Sequence, residues 1–169
     1  GLRVTDSFGL QDGRVVRRID PSFTTDHLSD QPSGLWEHYN EAAVTFRLPR
    51  SSNVTFGYHW SNEVYNAESF GTSGMRFSAG AQLTNKVTVN GSVQYGDAIY
   101  YDADPFGGTA ATAALLVRYQ PTDQWQFEAR GTYQGFSQAS DGTRLYDYAI
   151  YRGKAAFQVN RYLFFRGIA

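Results

Sequence analysis

Segment after segment of the chain alternates apolar and polar side chains with a period of two. A chain so patterned folds as β-strands that each have one greasy and one wet face. In residues 53–63 the even positions are Val54, Phe56, Tyr58 and Trp60, and the odd ones are Asn53, Thr55, Gly57, His59 and Ser61. In residues 73–84 Met75, Phe77, Ala79, Ala81 and Leu83 oppose Gly74, Arg76, Ser78, Gly80, Gln82 and Thr84. After the short turn at residues 84–86, Val87, Val89, Val93 and Tyr95 oppose Thr88, Asn90, Ser92 and Gln94, which predicts a tight hairpin. The pattern returns in residues 110–120 (Ala111, Ala113, Leu115, Val117 and Tyr119 against Thr112, Arg118 and Gln120). It returns again in residues 124–134 (Trp125, Phe127, Ala129 and Tyr133 against Gln126, Glu128, Arg130 and Thr132). Residues 147–160 and 161–169 add two strands, residues 36–48 one that alternates cleanly only from Ala42 to Leu48, and residues 13–23 a weaker one. The expected fold is all-β, an antiparallel up-and-down meander of about eight to nine strands.

Connections between these segments alternate in length. Residues 49–52, 84–86, 121–123 and 160–161 are short, whereas residues 24–34, 65–72, 101–109 and 137–144 are longer and rich in Gly, Asp and Ser. Short turns on one rim and long loops on the other are how outer-membrane barrels are built. The clean runs span roughly 9–12 residues, about what a tilted strand needs to cross a bilayer, against about 5–6 for an average strand. Trp60, Tyr95, Tyr133 and Tyr151 fall toward the long-loop ends of the apolar faces, and Phe46, Tyr119 and Trp125 toward the short-turn ends. Two aromatic girdles around a band of Val, Ala and Leu match the interfacial preference of Trp and Tyr.

Composition agrees. Aromatic residues make up 16%, with 12 Tyr, 12 Phe and 17 Gly, a mix that favours strands over helices. A mean hydropathy of -0.45 and the lack of a long apolar run exclude a transmembrane helix, but a barrel strand is only half apolar. The net charge of -1, with Lys and Arg scattered, offers no basic field for nucleic acid. Without cysteine there is no disulfide, thiolate metal site or thiol nucleophile. The reading is a partial barrel over residues 1–169 in a bacterial outer membrane, with lipid as its partner. A soluble β-rich binding module shares the alternation and is the rival architecture.

The last 25 residues, from Leu145 to Ala169, carry a resemblance, most specifically in Asn160-Arg161-Tyr162-Leu163-Phe164-Phe165-Arg166-Gly167. This short turn entering a strand resembles the late-barrel hairpin of a family of bacterial outer-membrane proteins. Members of that family join a family-9-like carbohydrate-binding module to a C-terminal barrel. The resemblance implies a transport or surface-anchoring role linked to saccharide recognition. It also implies a module and earlier strands before Gly1, and a few strands after Ala169. The family supplies no catalytic residues to carry over.

Charged residues on the wet faces, Arg76, Arg118, Glu128, Arg130 and Arg152, form the candidate site, a polar patch lining the lumen. Either they grip a polar solute, or they pair across strands and fill the interior. An outer-membrane enzyme is the alternative function, because Asp26, His27 and Asp30 share one expected loop. Asp102 and Asp104 lack an EF-hand pattern, and His59 has no second ligand near it in sequence. There is no nucleophile elbow or phosphate-binding glycine loop, so no cofactor or metal is expected and nothing requires an enzyme.

Overall fold

In a computed structural model of the chain, residues 2–6, 8–9, 15–29 and 34–169 are described. They form strands β1 (Leu2–Thr5), β2 (Phe8–Gly9), β3 (Arg18–Ser29), β4 (Trp36–Leu48), β5 (Ser52–Tyr65) and β6 (Glu68–Thr84), followed by β7 (Val87–Tyr100), β8 (Phe106–Tyr119), β9 (Trp125–Gln138), β10 (Arg144–Gln158) and β11 (Phe164–Ile168). All belong to one antiparallel sheet in the order β1-β3-β4-β5-β6-β7-β8-β9-β10-β11, with β2 also paired to β3. No helix occurs among the described residues. The expected meander is therefore present, and longer than the eight to nine strands foreseen. The sheet is open, ending on β1 and β11.

The extra edge comes from the N-terminal residues. β1 runs against Ser22–Thr25 and β2 against Arg18 and Ile19, in one continuous register. Between them the Asp6 amide donates to the Pro21 carbonyl at 3.1 Å, but Pro21 has no N–H to return. A proline in β3 is tolerable beside this broken outer strand. The weak strand expected at residues 13–23 is displaced, since β3 starts at Arg18 and runs on to Ser29. Residues 13 and 14 lie outside the described residues.

Loop asymmetry is the main correction. Among the described residues the connections on one rim are 66–67, 101–105 and 139–143, and on the other 49–51, 85–86, 120–124 and 159–163. None of these is a long loop, and residues 30–33 of the expected loop lie outside the described residues. Residues 65–72, expected as a loop, make a two-residue turn in which Asn66 and Ala67 both have positive φ, 52° and 62°, the conformation of a type I′ hairpin. Residues 24–29 likewise continue β3. The strands run 12 to 17 residues from β3 to β10, past the runs of clean alternation, so their polar ends pair as strand instead of looping.

Pairing also fixes which residues share a face. Pro21, Val44, Phe56, Phe77, Val93, Ala113, Tyr133 and Ala149 stand in one cross-strand row. The next row on that face is Ile19, Phe46, Val54, Ala79, Gly91, Leu115, Gly131 and Tyr151. Every apolar set read from the sequence lies on this one face, although each strand's parity is free to slip when strands are taken singly. From Ala111 to Tyr119 the band extends about 27 Å along the strand. Beyond it, at the first rim, outward positions turn polar with His27, His38, Asn40, Asn62 and Asp97.

The described residues build almost no packed core. Among the described residues only Ile99 and Phe136 are buried hydrophobics, while Phe56, Met75, Val93, Leu115 and Tyr151 are exposed. The chain exposes 11738 Å², against about 8,300 Å² for a compact monomer of its mass.

Candidate functional site

The opposite face is polar, and the residues read from the sequence all stand on it. Glu128 lies between Arg118 on β8 and Lys154 on β10 and pairs with Arg118 at 2.9 Å. One step along, Arg130 is flanked by Leu116 and directly faces Arg152. The structure thus brings Arg118, Glu128, Arg130 and Arg152 together. Arg76 is set apart on β6, where its guanidinium crosses Gly57 to ion-pair with Glu41 on β4. Pairing across strands therefore accounts for Arg76, Arg118 and Glu128, while Arg130 and Arg152 meet each other instead of an acid.

A row through these residues shows what single-strand reading missed. Across the sheet it runs Arg18, Arg47, Asn53, Gly80, Asn90, Leu116, Arg130 and Arg152. Asp20 balances its first two members, at 2.7 Å from Arg18 and 3.0 Å from Arg47. Asn53 and Asn90 reach over Gly80, where a Cβ would lie 2.9 Å from Asn90 Oδ1. Gly80 is thus the opening that lets both amides lie along the sheet. The sequence signal was present as Asn at the wet positions of two strands, but it has no meaning until the register aligns them.

Toward the first rim the same face carries acids. Glu63 accepts from the Tyr101 hydroxyl at 2.7 Å, Glu41 from Tyr39 at 2.7 Å, and Glu37 from the Val64 amide at 2.9 Å. His59 stacks on Tyr39 with ring centroids 6.1 Å apart. An aromatic cluster sits on this face as well. Tyr100 stacks on Phe106 at 5.0 Å, Phe136 contacts both, and Tyr146 stacks on Phe136 at 5.8 Å. Phe106 falls in the connection expected at residues 101–109, and the alternation gives no hint that these rings pack together.

The residues expected in one catalytic loop do not converge. Asp26 and His27 are successive residues of β3, facing Tyr39 and His38 on opposite faces of the sheet. Asp30 lies outside the described residues. His27 and His38 approach with ring centroids 6.3 Å apart, on the outward parity beyond the apolar band. Asp102 accepts from the Ala103 amide at 2.7 Å, and among the described residues no three His, Asp or Glu side chains gather as metal ligands. Compared with family profiles, with curated proteins and with solved structures, the chain matches none.

Proposed function

We propose that this chain is wall of a transmembrane antiparallel β-barrel in a bacterial outer membrane, with its apolar face toward lipid and its polar face lining the interior. One observation carries the reading. Across β4 to β9, the register-aligned face between the Tyr119–Trp125 aromatics and the Trp60–Tyr95 aromatics holds no charged side chain, and on β10 the first charge is Asp147, in the row of Tyr95 at the girdle, where it pairs with Arg144. In water such a face has to be covered by a second layer, whereas hydrocarbon covers it directly and leaves charges to the interior. Small outward residues such as Ala79, Ala113 and Ala155 also suit lipid, whose chains fill the gaps that a packed core cannot tolerate.

Function follows as transport or surface anchoring linked to saccharide recognition. The link to saccharide is supported by the resemblance of Asn160–Gly167. In that hairpin Asn160 Oδ1 accepts from the Tyr162 amide at 2.8 Å and the Leu163 amide at 3.0 Å, an Asx turn that starts β11. The test is expression with a secretion signal and fractionation of the cells, followed by extraction and electrophoresis with and without heating. Outer-membrane recovery and heat-modifiable migration are expected. A protein that is recovered monodisperse from the soluble fraction without detergent contradicts the reading.

A further inference from the structure

The polar face contains one groove whose walls differ in chemistry. Asn53, Asn90, Ser78, Ser92 and Arg130 border a cavity of ≈ 420 Å³ that opens over Gly80. Its walls therefore offer amide and hydroxyl donors with a guanidinium at one end. Arg152 faces Arg130 in register one strand further on. Like charges directly opposite in an antiparallel sheet are destabilising. No carboxylate among the described residues is ion-paired with either arginine, because the neighbouring Glu128 bonds to Arg118 and faces Lys154. One acid thus stands among four cations. Arg130 lines the groove and Arg152 stands beside it, so two guanidiniums meet at the end of a groove in which neutral donors are already arrayed.

We propose that this groove binds a small solute bearing a phosphate group. A phosphate carries a charge of about −1.5 to −2 at neutral pH, which matches two guanidiniums that have no ion-paired acid among the described residues, whereas a carboxylate matches only one. Arginine's planar fork pairs two phosphate oxygens at once. Asn53, Asn90, Ser78 and Ser92 then face the rest of the solute, and the volume falls within the roughly 300–1,000 Å³ of small-molecule sites. A solute of this class entering by the pore rests on the barrel reading above. The binding site itself rests on the cross-strand row and the groove.

Inorganic phosphate is the probe, titrated calorimetrically into the whole chain refolded in detergent at low ionic strength. Saturable binding is expected, weakened roughly ten- to a hundredfold in Arg130→Gln and in Arg152→Gln. Arg130→Lys, which keeps the charge and loses the fork, falls between wild type and Arg130→Gln, and still reports if the glutamine variant does not fold. Arg144→Gln, whose guanidinium pairs with Asp147 at the rim, binds as wild type does. Absence of saturable binding overturns the proposal, and so does equal affinity in all variants. If the protein enters liposomes but binds no phosphate, the site is wrong and the barrel stands. Arginine-dependent binding by a detergent-free soluble protein upholds the site and removes the barrel.

Discussion

The ring of Phe136 occupies the space that a side chain at Gly108 would take, with a Cβ there falling 2.3 Å from Phe136 Cζ and 2.5 Å from the Ser137 carbonyl. Phe136 is 3% exposed, the deepest hydrophobic among the described residues, so its burial depends on that glycine. Gly108→Ala is expected to cost about 1–3 kcal/mol, the usual penalty for overpacking. Phe136→Leu in the same background should recover part of it. Urea titration of folding into lipid vesicles measures both. An unchanged midpoint for Gly108→Ala would show that the aromatic cluster yields easily.

The two faces should differ in their tolerance of charge. Leu115→Arg and Phe127→Arg place a guanidinium on the apolar face and are expected to cost roughly 2–4 kcal/mol near the bilayer midplane. Thr112→Arg and Gln126→Arg, on the polar face, should change stability little. The same vesicle-folding titration compares all four.

The β5–β6 turn holds a residue in an unfavourable conformation. Ala67 has φ 62°, where an L-residue other than Gly, Asn or Asp pays roughly 1–2 kcal/mol. Ala67→Gly should stabilise the hairpin by about 1 kcal/mol, and the gain appears as a higher unfolding midpoint with an unchanged slope.

Tyr101, in the connection before β8, predicts an alkaline transition. Burial, then its hydrogen bond to Glu63 and the charge of that carboxylate, push the phenol up to about 12. A raised folded pKa means that the contact contributes fully below the ordinary phenol value of about 10 and is lost as pH rises through the folded one. Phenolate absorbance of wild type minus Tyr101→Phe should titrate near pH 12. A difference curve centred on the ordinary value would mean that the Glu63 contact does not hold in solution.

Strand identity and face were legible because period-two alternation reports both directly, as in Val87–Tyr95 and Ala111–Tyr119. Connection lengths were not. Gly71, Ser69 and Glu68 read as loop, yet they pair with Asn62, Val64 and Tyr65, because backbone pairing across a two-residue turn extends a strand whether or not its side chains alternate. The candidate site was half legible. Parity gave the arginines and Glu128, but it could not tell that Arg118 would find Glu128 while Arg130 would face Arg152, since cross-strand partners are set by register. That Asn53 and Asn90 meet over Gly80, and that rings gather around Phe136, was invisible for the same reason.

Because the chain has no cysteine, single cysteines at successive positions of β8 can be spin-labelled one at a time in liposomes. Accessibility to dissolved oxygen, which concentrates in hydrocarbon, and to a water-soluble nickel chelate tests the central claim most directly. Labels at Ala113, Leu115 and Val117 should favour oxygen, and labels at Thr112, Ala114 and Leu116 should favour nickel, giving a period of two in opposite phase. Nickel accessibility that is uniform along β8 would contradict a lipid-facing apolar face.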